Sequence, residues 1–186
     1  MRCRLASPAD APRLAEIYAP YVAGTAFTFA TAPLTENDFL HKMNGPYPLL
    51  VCEENGRVTG YAYASAFREK EAYRWGVELT IYVDPACHGR GAGKALMGRL
   101  LALLKAQGYM TAYSCVTLPN EKSMGLHKAL GFREIGRFEN AGYKLGQWRS
   151  VAWLSLQLNE LPLSPAEPLP LGHVPPETLC AILNEN

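Results

Sequence analysis

The sequence predicts one α/β domain in which helices cover a mixed β-sheet. Three observations lead to this prediction. Asn55-Gly56, a strong β-hairpin signal, joins two apolar segments that alternate as strands do. Further along, strand-like and helix-like segments follow one another in the order β-α-β-α-β. Parallel neighbours need a helical crossover, whereas a hairpin gives antiparallel ones, so the sheet should contain both.

Capping signals and apolar periodicity define the elements of the first half. Ser7 followed by Pro8 is an N-cap and first-turn proline, and Thr35 with Asp38 forms a capping box. The predicted elements are a strand over 2–5, a helix from Ser7 with Leu14, Ile17 and Tyr18 on one face, a short helix from Thr35, and strands over 49–53 and 58–64.

The second half contains the β-α-β-α-β order. Apolar residues recur at helical spacing after Gly93, and Gly108 stands where a glycine would end that helix. The predicted elements are strand 77–83, helix 93–106, strand 109–117, helix 120–130, strand 132–138 and strand 149–158.

The last part of the chain differs from the rest in its proline content. Six prolines between 162 and 176 disfavour a helix or a central strand there. We therefore expect a domain over residues 1–160 and a proline-rich tail over 161–186, flexible from 161 to 173. Residues 177–183 have the pattern of a two-turn helix, and both a free tail and an arm packed on this or a partner subunit remain open.

Composition excludes several functional classes. Of 186 residues, 48% are hydrophobic and 19% charged, which is typical of a globular protein, and the net charge of +1 without a basic stripe argues against nucleic-acid binding. No apolar run reaches the roughly 18–20 residues of a membrane span, and no signal peptide begins the chain, so we expect a cytoplasmic protein. Five cysteines without C-x-x-C spacing and four unclustered histidines predict free thiols and no metal site.

A glycine-rich segment joins the strand over 77–83 to the helix that follows. Gly89, Gly91 and Gly93 would let a ligand approach the backbone, and the helix N-terminus offers unpaired N–H groups with a partial positive charge. These features suit a phosphate or pyrophosphate site, and a glycine-rich connection that binds no ligand remains an equal alternative.

The spacing of these glycines excludes two common phosphate motifs. A P-loop would need glycine where His88 stands and serine or threonine where Ala95 stands. The dinucleotide motif G-x-G-x-x-G would need a glycine at Lys94.

The loop His88-Gly89-Arg90-Gly91-Ala92-Gly93-Lys94, behind a strand ending in Val-Asp-Pro, resembles the coenzyme A pyrophosphate loop of GNAT acetyltransferases, although His88 stands where Gln or Arg is usual. Asn120, Ser123 and segment 126–132 resemble the second part of that signature, with His127 in place of the usual tyrosine. The resemblance implies a GNAT fold, mostly antiparallel with a splayed central parallel pair that holds acetyl-CoA. The implied cofactor-binding residues are Ile81, Tyr82, Val83, His88, Gly89, Arg90, Gly91, Ala92, Gly93, Lys94, Asn120 and Ser123.

A narrower resemblance, spanning residues 2–158, is to the phosphinothricin N-acetyltransferase family, whose relatives acetylate methionine sulfone and methionine sulfoximine. It is carried by segments 60–67, 72–78 and 131–136, with Thr28-Phe29 and Gly146-Gln147-Trp148. It implies acetylation of the α-amine of a small amino acid by a homodimer. The implied substrate-binding residues are Phe29, Tyr73, Arg74 and Trp75.

The chemistry suggests roles for three residues. An amine must lose a proton to attack a thioester, so the site needs a base. The resemblance implies that this base is Glu78, which stands where the phosphinothricin family has its proposed catalytic glutamate, and the alternative is a carboxylate that only forms an ion pair. The backbone N–H of Tyr82 or Val83 would stabilise the oxyanion. His127 has two interpretations of equal weight: a proton donor to the leaving thiolate, or a helix residue hydrogen-bonded locally.

Two other functions remain as alternatives. One is acetylation of another primary amine, such as a polyamine, an aminoglycoside or a protein N-terminus, and a cationic substrate of that kind is disfavoured by Arg74. The other is a non-catalytic acyl-CoA-binding domain, which the presence of Glu78, Asn120 and His127 disfavours.

Overall fold

The computed structural model describes residues 1–184, and within them seven strands form one sheet flanked by five α-helices. The strands lie in the order β1-β2-β3-β4-β5-β7-β6. They are β1 (Arg2–Leu5), β2 (Leu49–Glu54), β3 (Arg57–Ala66), β4 (Gly76–Val83), β5 (Thr111–Thr117), β6 (Arg133–Lys144) and β7 (Gln147–Gln157). The helices are α1 (Ala11–Gly24), α2 (Glu36–Met43), α3 (Ala92–Ala106), α4 (Glu121–Ala129) and α5 (Pro176–Asn184).

The predicted α/β fold is confirmed, with β4 and β5 parallel and the other described neighbours antiparallel. The hairpin between β2 and β3 turns at Asn55 and Gly56, whose φ angles of 51° and 76° are those of a primed turn. The capping box of Thr35 and Asp38 starts α2, and the box of Ser7 and Asp10 starts a 3₁₀ turn that leads into α1. Local sequence signals therefore set these boundaries.

The sheet separates two apolar cores. On one face, α3 buries a stripe of residues, including Leu96, Leu100 and Leu104, against β2 to β5. On the other face, Leu14 and Ile17 of α1 and Phe39 of α2 pack mainly on β2 and β3. On this second face, α1 and α2 do not extend over β5, β6 and β7. That part of the sheet is therefore left for other contacts.

The main boundary difference lies in β6, which the sequence predicted to end at residue 138. It continues to Lys144 and pairs with β7 as far as Gln147, across register shifts at 134–136 and 138–142. The irregular register interrupts the alternation of apolar residues, which is why the periodicity did not extend the strand.

The proline-rich segment is not free of the domain, so the expectation of a flexible segment over 161–173 is wrong for its second half. The N–H of Leu169 donates to the Gln107 carbonyl at 2.7 Å, and that of Leu171 to the Pro46 carbonyl at 3.0 Å. Val174 is buried, and Leu179, Ile182 and Leu183 of α5 pack against the α3 core. The sequence left two alternatives open for residues 177–183, a free tail and a packed arm. In the structure these residues form an arm that packs on its own domain.

Within residues 1–184, no helix combines the length and apolar character needed to cross a bilayer. No group of three or more His, Cys, Asp or Glu side chains in this range is arranged to hold a metal ion.

The α3 core yields a stability prediction. Leu100 is fully buried, so Leu100→Ala should lower the free energy of unfolding by about 2–5 kcal/mol through lost burial and a residual cavity. Leu163→Ala is the matched control, because Leu163 is exposed and its loss should change little. Denaturant titration measures both, and equal effects would contradict this description of the core.

Candidate active site

The candidate site forms where β4 and β5 separate. The two strands pair only at Gly76, Val77 and Glu78, opposite Thr111, Ala112 and Tyr113. Beyond this point β4 remains paired with β3 up to Val83, and β5 with β7 up to Thr117. The sheet therefore opens a gap directly after Glu78.

The direction of the β4 backbone follows from two hydrogen bonds. The Trp75 carbonyl accepts from the Met110 N–H at 2.9 Å on the β5 side, and the Asp84 N–H donates to the Thr59 carbonyl at 2.8 Å on the β3 side. Because successive residues of a strand alternate in direction, the N–H groups of Ile81 and Val83 face the gap. That of Tyr82 faces β3, so of the two predicted oxyanion donors only Val83 faces the gap. Val83 lies roughly 16 Å along β4 from Glu78, whereas Ile81, which also faces the gap, lies roughly 10 Å from it, so the geometry favours Ile81 over both.

The glycine loop turns the chain from β4 into α3. Gly89 and Gly91 have φ angles of 78° and 88°, which disfavour other residues, and Gly91 is the N-cap of α3. A Cβ on Gly93 would lie 3.3 Å from Leu126 of α4 and 3.7 Å from Ile81, so this glycine permits close packing. The first N–H groups of α3 are consequently presented at the end of the gap, where an anion can bind.

His88 holds the loop to β4. Its Nε2 lies 2.8 Å from the Tyr21 Oη and 3.1 Å from the Val83 carbonyl oxygen, to which the Tyr21 hydroxyl donates. Arg90 is paired with Glu54 at 3.3 Å, and Lys94 is exposed in the first turn of α3. The side chains of the loop thus contact β4, pair with Glu54 or face solvent. The groups that can bind an anion are the backbone N–H groups.

Helix α4 packs on the start of α3, because Leu126 in its second half lies beside Gly93. Asn120 is the N-cap of α4, and its Oδ1 accepts from the Ser123 N–H at 3.1 Å. The predicted contacts of Asn120 and Ser123 with a ligand stay predictions.

His127 is buried with both ring nitrogens occupied. Nδ1 lies 2.8 Å from the Ser123 carbonyl oxygen, which can only accept, so Nδ1 carries the proton. Nε2, 3.0 Å from the Ser114 Oγ, then accepts from that hydroxyl. Burial lowers the pKa of His127, which favours this neutral form. The geometry matches the locally hydrogen-bonded interpretation and gives no support to a proton donor.

Glu78 is half-buried at the point where the strands part. Burial raises the pKa of its carboxyl group, and the nearby Arg68 guanidinium, 4.0 Å away, lowers it by a smaller amount. Tyr113 of β5 lies opposite Glu78 in the parallel pair. Cys115, two residues further along β5, adds no charge at neutral pH, because burial and the charge of Glu78 raise the pKa of its thiol to about 11. The site therefore offers one carboxylate with an increased affinity for a proton.

Arg68 was not among the predicted site residues. Its guanidinium carbon lies 4.2 Å from the centre of the Phe67 ring and 5.0 Å from that of Trp153. Phe67 stacks on Tyr113 at 3.9 Å between ring centres. Since Trp153 is far from Arg68 along the chain, no local sequence pattern indicated this arrangement.

The four predicted substrate-binding residues fall into two groups. The ring of Phe29 covers Gly142 of β6 so closely that a Cβ there would lie 2.4 Å from it, and Lys144 donates to the neighbouring Thr28 carbonyl at 2.8 Å. Tyr73, Arg74 and Trp75 lie together before β4.

Two of the residues before β4 are engaged by the tail. The Arg74 Nη1 pairs with Glu167 at 2.6 Å, and its Nε and Nη2 contact the carbonyl and carboxylate of Glu71. The Trp75 indole N–H donates to the Ala166 carbonyl at 2.8 Å. The predicted role of Arg74 in binding a substrate anion stays a prediction, but its donors already have partners.

Two cavities adjoin this region. One of about 240 Å³ is lined mainly by aromatic rings and tail prolines, namely Phe67, Tyr73, Trp75, Tyr113, Pro162 and Pro165. A more polar groove of about 550 Å³ is lined by Ala66, Phe67, Arg68, Glu69, Lys70 and Tyr73. Arg68 is thus accessible from a space large enough for an amino acid.

Comparison with known proteins gives consistent similarities. Residues 12–132 match the acetyltransferase (GNAT) family. The chain is 38% identical to a phosphinothricin N-acetyltransferase of Streptomyces coelicolor, over 77% of this chain and 88% of that protein. It is 34% identical to an L-methionine sulfoximine/L-methionine sulfone acetyltransferase of Salmonella typhimurium, over 86% and 96%. A GNAT phosphinothricin acetyltransferase of Sinorhizobium meliloti, solved with acetyl-CoA, superposes with a TM-score of 0.84 at 35% identity, over 90% of this chain and 94% of that one.

The environment of His127 yields a prediction on its charge. Because burial lowers its pKa below the usual 6.5, the imidazole should stay neutral at pH 7 and bind a proton only in more acidic solution. The unfolded chain binds that proton first, so the free energy of unfolding should fall as the pH drops below 6.5. NMR titration of the ring, with His127→Gln to assign its signal, measures this. A charged imidazole at pH 7 would contradict the hydrogen-bond pattern.

Proposed function

Because the chain belongs to the acetyltransferase (GNAT) family, we propose that it transfers the acetyl group of acetyl-CoA to the α-amine of a small amino acid or analogue. The substrate class would be that of the compounds after which the relatives are named: phosphinothricin, methionine sulfoximine and methionine sulfone. The observation that carries the proposal is the position of Glu78, a carboxylate at the opening between β4 and β5.

Acetyl-CoA would lie along the opened edge of β4. Its pyrophosphate would be held by the backbone of the glycine loop and the first turn of α3, and its pantetheine arm by the edge of β4 and by Asn120 and Ser123. The proposed contacts are Ile81, Tyr82, Val83, His88, Gly89, Arg90, Gly91, Ala92, Gly93, Lys94, Asn120 and Ser123. Tyr82 would contribute by packing only, since its ring lies 4.9 Å from those of Tyr18 and Tyr21 under α1.

The reaction would be a direct transfer. Glu78 takes one proton from the substrate ammonium, and the amine lone pair then forms a C–N bond to the thioester carbonyl carbon. The oxygen of the tetrahedral intermediate would accept from the Ile81 N–H, which faces the gap and lies roughly 10 Å along β4 from Glu78. The intermediate then collapses: the C–S bond breaks and its electron pair leaves with the sulfur. The nitrogen releases its second proton to solvent, and solvent protonates the thiolate.

Protonation of the thiolate does not need His127. The neutral imidazole already donates through Nδ1 to Ser123, and its Nε2 carries no proton. We propose that His127 positions the first turn of α4 and that solvent supplies the proton to sulfur.

We also propose that the enzyme is a homodimer. Large apolar side chains are exposed along β6 and β7, namely Phe138, Tyr143, Leu145 and Trp148. Such a patch on a small domain is typical of a subunit interface.

Replacement of the base gives the main test of the mechanism. Glu78→Gln should retain its affinity for acetyl-CoA and lose about 100-fold or more in kcat, because the amine keeps its proton. The decline in wild-type rate on the acid side, which begins above the usual range of glutamate because burial raises its pKa, should disappear. Thiol release from acetyl-CoA against a panel of amino acids and other amines measures the rate and tests the substrate class.

The exposed Glu36 provides a control for this substitution. Glu36→Gln changes the same group in α2 and should leave the pH profile unaltered. Near-normal turnover in Glu78→Gln would leave Glu78 with a structural role.

The glycine loop gives a second test. Gly91→Leu places a side chain on a residue with φ of 88° at the start of α3, so acetyl-CoA should bind about tenfold more weakly or worse. Gly98→Leu is the control, because Gly98 is exposed in the same helix with open space around it. Calorimetry measures both affinities, and equal values would exclude this placement of the pyrophosphate.

The assembly is tested by light scattering. At micromolar concentration we expect the mass of two chains for the wild type, and the mass of one chain for Trp148→Arg, since a charge would be buried at the interface. A wild-type monomer would contradict the proposed dimer.

A further inference from the structure

We infer that Cys3 and Cys52 form a reversible disulfide when the protein meets a peroxide, and that this bond fastens the edge strand β1 to β2. The two thiols belong to the core under α3 and lie outside the gap between β4 and β5. A measurement on the thiols therefore tests the pair whether or not the chain transfers acetyl groups.

The register of β1 and β2 places the two cysteines side by side. Cys3 lies directly opposite Cys52 in the antiparallel pair, and their Sγ atoms are 3.4 Å apart. The Ala6 N–H donates to the Leu49 carbonyl at 2.9 Å, so these two residues are a hydrogen-bonded pair. Because the two kinds of pair alternate along an antiparallel ladder, Cys3 and Cys52, three positions on, are a non-hydrogen-bonded pair.

A pair of this kind can carry a disulfide. Its Cα atoms are about 4.5 Å apart, and its side chains point to the same face of the sheet. Disulfides span Cα separations of about 4.4–6.8 Å, so the bond can form without moving the strands apart. The two sulfur atoms have to approach by roughly 1.4 Å, which rotation of the side chains can supply.

The surroundings favour reaction at Cys3 before Cys52. A hydrogen bond with the Cys52 thiol lowers the pKa of Cys3, burial opposes this change, and the charge of Arg99 adds to it. The same contact and burial raise the pKa of Cys52. The Cys3 thiolate therefore forms more easily than that of a buried cysteine without such a neighbour, and Cys52 keeps its proton.

A small oxidant can reach Cys3 at the edge of the sheet. The strand β1 has four residues, stands first in the strand order, and pairs only with β2 among the described strands. Short edge strands close to a chain terminus open locally at low cost, and such opening exposes Cys3, which is buried in the closed sheet. Hydrogen peroxide suits this limited access because it is small and uncharged.

One peroxide balances one disulfide. The Cys3 thiolate attacks an oxygen of hydrogen peroxide, the O–O bond breaks, and uptake of one proton gives a sulfenic acid and water. The Cys52 sulfur then attacks the Cys3 sulfur and the S–O bond breaks. The leaving hydroxide takes the Cys52 proton and departs as a second water. The two sulfur atoms together lose two electrons, which the peroxide gains.

The test uses the full chain and hydrogen peroxide as the oxidant. The triple variant Cys87→Ser, Cys115→Ser, Cys180→Ser keeps only the pair. A small excess of peroxide should remove both remaining thiols and lower the mass by that of two hydrogen atoms, and dithiothreitol should reverse both changes. Because the bond joins residues 49 positions apart, Tm should rise by roughly 4–16 °C on oxidation.

The matched control adds Cys3→Ser to the triple variant. It removes the attacking sulfur and leaves Cys52 as a single buried thiol, which should remain unreacted at the same peroxide concentration. The wild type provides a measurement that does not depend on the folding of any variant. After oxidation, a tryptic digest without reductant should contain the dipeptide Cys3-Arg4 joined to the peptide 43–57, which carries Cys52.

Three results would overturn the inference. The first is survival of both thiols in the folded triple variant under conditions that oxidise it after denaturation. The second is a wild-type digest in which Cys3 is bonded to another cysteine, or is oxidised to a sulfinic acid, and is not joined to Cys52. The third is a lower Tm in the oxidised protein, because the bond would then distort the sheet that it is inferred to fasten.

Discussion

The organisation of this molecule depends on the loss of pairing between β4 and β5 after Glu78. A strand edge that leaves its neighbour exposes backbone groups that must find other partners. On the β5 side the partner is β7, which follows β5 up to Thr117. On the β4 side no strand within residues 1–184 takes that place, so the N–H groups of Ile81 and Val83 remain directed into the gap. Acetyl-CoA, the thioester that the family uses, can accept hydrogen bonds from these N–H groups as a neighbouring strand would.

The alternation of side chains along β4 separates structure from chemistry. Val77, Leu79, Ile81 and Val83 belong to the core under α3, whereas Glu78 and its neighbours two residues apart face the other side of the sheet. A single strand thereby anchors the core and carries the proposed base. The position of Glu78 is rigid because the residues on both sides of it are fixed by packing, which is what a group placed for proton transfer requires.

Local signals made most of the fold predictable from the sequence, whereas the site was predictable only in part. Capping residues, the Asn55-Gly56 turn and the glycine loop act within a few residues, so their outcome can be derived from short segments. The pairing of Arg74 with Glu167 joins residues separated by 93 positions, and the Arg68–Trp153 contact is similarly distant. The hydrogen-bonded form of the His127 ring depends on Ser114, which lies 13 residues earlier in the chain, on β5. Periodicity and motif spacing carry no information on such contacts.

The distribution of charge around Glu78 follows from these long-range contacts. Two arginines precede β4. The tail neutralises Arg74 through Glu167, which belongs to a segment whose composition predicted a flexible chain. The other, Arg68, packs on two aromatic rings and lies 4.0 Å from the Glu78 carboxylate, so that its charge acts on the proposed base. Cations held by rings retain more of their field than cations held by carboxylates, since the ring carries no net charge to cancel it. The packing of Trp153 thereby places a cation beside the proposed base, where it opposes the rise in the pKa of Glu78 that burial causes.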